Sequence, residues 1–257
     1  MLPGNGDTTP DEVPRRSASQ LVEALREQIA RLEHSRRQGD AMPVSSGCEG
    51  LDRLLPDRGF HRGTLVEWLV AGAGSGGETL ALIAAREACQ DGGVLVVLDE
   101  AKQLYPPAAA RLGIDLDQMI VVQAANAADN LWALDQALRC PAVAAVLAWP
   151  KRLDGRTFRR LQLAAEQGGS LGVLIRPESA EREPSWADVR LRIEPLPVPA
   201  SAALPPAAGR RLRIQLLRTR GGTGDRSAEV EIDDEATPVH LASRLAGPTA
   251  RRRAAGA

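Results

Sequence analysis

Three observations predict an α/β fold with a mostly parallel sheet covered by helices. Between residues 64 and 175, short apolar runs alternate with helical patterns. The runs are apolar at nearly every position, as strands buried on both faces require. A glycine-rich turn joins the first run to the first helix, at the carboxyl end of the strand where α/β sheets receive ligands. A chain of 257 residues accommodates one such domain of about 150 residues with attached segments. Its hydrophobic share of 44% supplies a core although only 3% is aromatic.

In chain order, residues 1–16 are rich in Pro, Gly, Thr and charge and are expected to be disordered. Over 17–39, Leu21, Leu25, Gln28, Ile29 and Leu32 share one helical face while Glu23, Arg26, Glu27, Arg31 and Glu33 take the rest. This predicts an amphipathic N-terminal helix, capped by Ser19 and stopped by Gly39, that lies on its own domain or on another chain. The core spans 42–194, with strands expected at 64–70, 94–98, 119–123, 143–148 and 171–175. Helices are expected at 79–89, 106–112, 127–138 and 157–167, the second with proline in its first turn. Val189, Leu191 and Ile193 alternate with Arg190, Arg192 and Glu194, a strand with one buried face. Five prolines mark 195–209 as a linker or long loop. Within 210–246, Leu212, Ile214 and Leu216 alternate with Arg211, Arg213 and Gln215, and Gly221-Gly222-Thr223-Gly224 leads to Glu229-Val230-Glu231-Ile232. That pattern predicts a small antiparallel hairpin extension carrying arginines on one arm and glutamates on the other. Residues 247–257, with Arg251-Arg252-Arg253, are expected to form a flexible basic tail.

Composition excludes several function classes. A formal net charge of −1 gives no global attraction to DNA or anionic lipid, so a nucleic-acid role must rest on a local patch. Cys48, Cys89 and Cys140 are widely spaced and odd in number, which fits reduced thiols better than a disulfide framework, and His34, His61 and His240 add no ligand cluster. No metal site and no cofactor are expected. No run of 18 apolar residues occurs and the N-terminus lacks a signal-peptide pattern, so a cytoplasmic location is expected.

The segment Gly72-Ala73-Gly74-Ser75-Gly76-Gly77-Glu78-Thr79 follows the first strand. A nucleotide-binding loop reads G-x-x-x-x-G-K-[ST] between a strand and a helix, and Gly72, Gly77 and Thr79 fit it. Backbone amides and the helix start would still favour an anion. Glu78, however, stands in the lysine position and sets a carboxylate where the β- and γ-phosphates would lie.

The chain resembles the RecA family, and within it the ImuA-like accessory proteins of bacterial mutagenesis cassettes. The likeness is carried by Ser45-Ser46-Gly47, Leu51-Asp52, Leu55, Gly59 and Gly63, and by Leu98-Asp99 through Leu104 and Pro106. It continues in Ala110-Arg111-Leu112-Gly113-Ile114-Asp115-Leu116-Asp117 and Ala187-Asp188-Val189-Arg190-Leu191, in order across 42–194. The resemblance implies a RecA-like P-loop core. It also places Ala101 where the family has a water-activating glutamate, and Ala148 where a metal-holding aspartate would end the fourth strand. Glu100 is one position away and faces oppositely on an extended segment, and Asp154 is too far along the chain. With Glu78, Ala101 and Ala148 together at these three positions, no catalytic residue and no ordinary ATP hydrolysis are expected, and the loop is structural or a weak anion site.

Both family DNA-binding loops look shortened. Lys151, Arg152, Arg156, Arg159 and Arg160 nevertheless form a candidate DNA- or protein-contacting patch, against the alternative of a solvated helix face. Arg190, Arg192, Arg211 and Arg213 form a second candidate, unless Glu229 and Glu231 neutralise it across the sheet. Trp132 is expected in the core, while Trp149 and Trp186 are open between core and interface.

By resemblance, the implied role is non-catalytic support of SOS-induced translesion DNA synthesis and mutagenesis, nucleoid-associated during repair. The implied partners are RecA, an ImuB-like protein and, through it, an error-prone replicative-type DNA polymerase. DNA binding is expected to be weak or indirect, and self-association stays open. The alternatives are a DNA-stimulated RecA-family ATPase with atypical catalytic residues and a damage-induced cell-division inhibitor that binds FtsZ.

Overall fold

The computed structural model describes residues 42–72, 74–197, 210–232 and 239–241. The expected disordered segment 1–16, N-terminal helix 17–39, residues 198–209 of the linker and tail 247–257 lie outside the described residues.

A short helix, α1 (Glu49–Asp52), precedes the sheet. Its Asp52 carboxylate accepts from the Ser45 hydroxyl at 2.6 Å and the Ser46 amide at 2.8 Å, which fixes the approach to the core. The chain then runs β1 (Leu65–Val70), α2 (Gly77–Cys89), β2 (Val94–Leu98), α3 (Pro106–Arg111), β3 (Met119–Val122) and α4 (Ala127–Arg139). It continues through β4 (Val143–Ala148), α5 (Gly155–Gly168), β5 (Leu171–Pro177), β6 (Val189–Pro195), β7 (Arg210–Thr219), β8 (Gly222–Ile232) and β9 (Val239–Leu241). A 3₁₀ turn, Glu178–Arg182, links β5 to β6. The strands form a nine-stranded sheet in the order β3-β2-β4-β5-β1-β6-β7-β8-β9. Strands β1 to β6 pair in parallel, and β7, β8 and β9 continue the same sheet antiparallel. The C-terminal extension is thus the far side of the main sheet and includes a third strand beyond the expected hairpin.

The core divides by sheet face. Val66, Trp68 and Val70 of β1 pack with α1, α2 and the inward side chains Leu212, Ile214 and Leu216 of β7. Leu65, on the opposite face, packs with Leu138 of α4 and with Phe158 and Leu161 of α5. β1 and β4 are buried at every position, as strands between neighbours and beneath helices must be. β3 departs from that expectation: it is an edge strand, and Ile120 is 50% exposed.

Caps explain the helix limits. Asn126 accepts from the Asp129 amide at 3.0 Å to open α4, and Asp154 accepts from the Thr157 amide at 2.9 Å to open α5 two residues earlier than periodicity suggests. Among the described residues no helix is long and apolar enough to cross a membrane.

Candidate functional site

The glycine loop leaves β1 at Val70 and enters α2 at Gly77, so the strand–loop–helix context expected of it is present. The Ser75 amide donates to the Gly72 carbonyl at 3.3 Å. Gly76 has φ +86°, a left-handed conformation that costs a side-chain residue energy, and a Cβ there would meet the Leu212 side chain at 3.0 Å. At Gly77 a Cβ would approach Val70 Cγ1 to 2.6 Å. Gly72, in contrast, has open space where a Cβ would stand.

Glu78 lies half-buried in the first turn of α2, where the positive end of the helix favours a carboxylate as much as it would disfavour a lysine. Thr79 is also half-buried, and its hydroxyl oxygen accepts from Arg210 Nη2 at 3.3 Å. Arg210 therefore brings a guanidinium from β7 to the loop. Sequence reading singled out Arg211 and Arg213 and passed over Arg210; alternation on β7 was the available signal, since Arg210 shares a face with Leu212 and Ile214.

The two other positions sit at the ends of β2 and β4. Asp99 is buried and accepts from the Gln103 amide at 2.9 Å and the Leu104 amide at 3.0 Å, which closes the turn after β2. Ala101 is exposed, and the neighbouring Glu100 accepts from Asn130 Nδ2 at 3.4 Å. Ala148 is buried within an apolar end of β4, and Trp149 beyond it packs against the α2-side core. The Asp154 carboxylate caps α5, and its hydrogen bonds from Thr157 hold its pKa below the ordinary carboxylate range.

The model of the RecA N-terminal domain matches residues 22–148, from before the described residues to the end of β4. ImuA of Caulobacter vibrioides (strain NA1000 / CB15N) is 32% identical over 200 residues, covering 70% of this chain and 79% of that protein. The chain belongs to the RecA family. RecA of Clostridium tetani is 38% identical over 84 residues, 33% of this chain and 24% of that protein. The cell division inhibitor SulA of Photorhabdus laumondii is 33% identical over 78 residues, 30% of this chain and 44% of that protein. This RecA-family chain thus spans most of its ImuA relative but a smaller part of the RecA and SulA relatives.

In the second candidate positive surface the arginines face carboxylates. Arg190, Arg192, Arg211 and Arg213 lie on one face of neighbouring strands, as expected, but each is paired with acid. Arg211 and Arg213 each donate to Glu229 at 3.1 Å, and Arg192 pairs with Glu181, Glu178 and Glu194. Arg190 Nε lies 2.8 Å from Glu67 Oε2; the contact is Coulombic, since the N–H is turned off the line to the oxygen. Arg190 also donates to the carbonyls of Ala180 and Glu181. The arginines of this face are therefore held by neighbouring carboxylates, Arg211 and Arg213 across the strands by one shared Glu229 and Arg192 by acids of its own strand and of the 3₁₀ turn.

Glu67 is a second residue that the sequence reading missed. It is buried in β1 and faces Arg176 of β5 at 2.6 Å, whose side chain is buried and also pairs with Glu183. A lone carboxylate in an otherwise apolar buried strand was the signal, because such a group needs a cationic partner.

The first basic patch behaves differently. Lys151, Arg152 and Arg156 are exposed and have no ion pair among the described residues. Arg160 reaches Asp135 at 3.3 Å, and Arg159 lies 5.1 Å from the ring centre of Trp186. Trp186 is 49% exposed, and Trp132, expected in the core, is 66% exposed on the outer side of α4.

Proposed function

We infer that this chain is a non-catalytic RecA-like accessory protein that supports SOS-induced translesion DNA synthesis and mutagenesis through contacts with RecA and an ImuB-like protein. One observation carries the non-catalytic part: Glu78, Ala101 and Ala148 together occupy the positions of three charged groups of phosphoryl transfer, in a chain that keeps the strand–loop–helix frame. A single exchange leaves room for compensation from a neighbour. Three exchanges, in the first turn of α2, in the turn after β2 and at the end of β4, do not, and Asp99 and Asp154 are already committed to backbone amides. The similarity to ImuA over 79% of that protein's length favours the mutagenesis role over the division-inhibitor role, for which the SulA likeness covers 44%.

Under this reading the glycine loop is a structural joint, the protein is cytoplasmic and joins the nucleoid during repair, and DNA is reached chiefly through partners. The test has two arms. Purified protein is assayed for ATP turnover with and without single-stranded DNA, and for co-sedimentation with RecA filaments and capture by the ImuB-like protein. Absent turnover with specific recovery on RecA filaments and on the ImuB-like protein is expected. DNA-stimulated hydrolysis abolished by Thr79→Ala would establish the ATPase reading instead. Binding to FtsZ, with none to RecA or the ImuB-like protein, would establish the division-inhibitor reading.

A further inference from the structure

The outer face of α5 carries a groove that the altered glycine loop does not account for. It is an open depression of about 820 Å³, bordered by Arg156, Arg159, Arg160, Leu163 and Trp186, with Asp154 at one end. Arg156 and Arg160, and Arg159 and Leu163, are each four residues apart, so they stand in adjacent rows along one helical face. Leu163 is 45% exposed, an apolar side chain on a face otherwise given to arginine.

Trp186 is held firmly although half of it meets solvent. Arg218 donates to the carbonyls of Ser185 at 2.7 Å and Ala187 at 3.1 Å, on either side of the tryptophan. Next to Ala187, Asp188 accepts from the Leu65 amide at 3.0 Å and so ties the segment to β1. Arg159 lies over the indole from the helix side. An anchored, half-exposed tryptophan beside an exposed leucine forms a preorganised apolar contact, and fixing such a surface in advance lowers the entropic cost of binding.

Charge selects the class of ligand. Arg156 is exposed and, although it acts on the nearby Asp154 carboxylate, makes no close ion pair among the described residues; Lys151 and Arg152, in the segment that enters α5, are exposed as well. Asp154, the acid at the groove's end, is bonded to the first-turn amide and hydroxyl of Thr157. The positive end of α5 is thus satisfied by a carboxylate, which repels any anion placed there, so a ligand's acidic groups fall at the arginine side chains and not at the helix start. Single-strand nucleic-acid sites combine a cationic track with several aromatic platforms, whereas this groove offers one indole and an aliphatic side chain.

The geometry points to the α5 groove as a docking site for an acidic protein segment that inserts a bulky apolar side chain between Leu163 and Trp186 while its carboxylates meet Arg156 and the exposed part of Arg160, whose Nε already lies 3.3 Å from Asp135. This deepens the accessory-protein reading and rests on it, since it gives the chemistry of one partner contact.

Selection from a random-peptide phage library on the full-length chain, with the double variant Arg156→Glu/Trp186→Ala as counter-selection, tests the assignment. Enriched peptides are expected to carry Asp or Glu around one Leu, Ile, Phe or Trp. Their affinity, read by fluorescence polarisation, should fall about tenfold or more in Arg156→Glu and in Trp186→Ala, the weight of one lost anchor or charge pair. Arg156 and Leu163 are exposed, so Arg156→Glu and Leu163→Ser serve as second variants if Trp186→Ala disturbs folding. No enrichment, enrichment of basic or uncharged peptides, or equal affinity for the variants overturns the assignment. Displacement of the peptide by oligothymidylate, weakened by the same substitutions, also overturns it and makes the groove a nucleic-acid site. Neither ATP turnover nor RecA co-sedimentation enters this readout, so failure of the peptide experiment is separable from failure of the accessory role.

Discussion

Glu67→Gln probes the charge cluster that joins β1, β5 and β6. The side chains of Glu67 and Arg176 are fully buried, and that of Arg190 is nearly so. Glutamine preserves the shape of the carboxylate and removes its charge, so two guanidinium groups lose their shared buried partner. Arg176 keeps Glu183, whose side chain is 37% exposed, and Arg190 keeps the carbonyls of Ala180 and Glu181. Removing one member of a buried ion pair costs about 3–5 kcal/mol. The retained acceptors place the expected cost at the lower end, about 3 kcal/mol, a large part of the roughly 5–15 kcal/mol typical of a domain. With a urea slope of about 2 kcal/mol per molar, the midpoint should fall by about 1.5 M at unchanged slope. The comparison is Arg192→Gln, where a partly exposed guanidinium shares three glutamates near solvent and the cost should stay below about 1 kcal/mol. Urea unfolding followed by circular dichroism measures both. Equal, small losses for the two variants would refute the reasoning, since they would mean that water screens Glu67 as well as it screens Arg192.

The glycine loop yields a paired prediction: Gly77→Ala places a Cβ 2.6 Å from Val70 Cγ1 and should cost about 1–3 kcal/mol in thermal unfolding, while Gly72→Ala, with open space around it, should be neutral. Glu78→Lys should raise the affinity for inorganic pyrophosphate about tenfold or more by calorimetry, by replacing repulsion with a charge-assisted bond, and still give no ATP turnover. Ellman's reagent should modify exposed Cys140 in the folded protein and reach buried Cys48 only on unfolding. Burial pushes the Cys48 thiol from 9.0 up to about 11, so the folded state keeps a proton that the unfolded chain releases. Stability from this group is therefore full below pH 9 and lost as pH rises towards 11, by up to about 3 kcal/mol, and urea midpoints across that range should flatten in Cys48→Ala.

The central strands were legible because parallel strands between helices need apolar residues on both faces, and Val94–Leu98 and Val143–Ala148 show that need without interruption. β3 has the same apolar composition and is nevertheless exposed, because an edge position is a property of strand order and leaves no local mark. Strand order also decided the arginines. Alternation located Arg190, Arg192, Arg211 and Arg213 on one face, but whether that face is positive depends on register, which sets Arg213 opposite Glu229 and Arg211 opposite Glu231. Trp132 was misplaced for a related reason: α4 is amphipathic, but its buried stripe runs through Leu134 and Leu138 and leaves the indole outside. The groove on α5 was half legible. Its arginines stand out in the sequence, whereas the approach of Trp186 from a segment 27 residues beyond Arg159 follows only from the fold.

The glycine loop shows why a nucleotide-loop pattern and nucleotide chemistry are separable. Gly77 is required where α2 starts against Val70, and Gly76 is required by its left-handed backbone beneath Leu212. Neither requirement involves a phosphate. Glu78 adds a carboxylate at the positive end of α2, a choice that stabilises the helix and opposes an anion at the same place. Thr79 accepts from Arg210, which joins the loop to β7. Each of these residues therefore has a role in connecting β1 to α2 and the sheet's antiparallel half, and folding alone is a sufficient physical reason for them. Gly72 has no such packing reason, and its tolerance of alanine separates the part of the pattern that the fold requires from the part it does not.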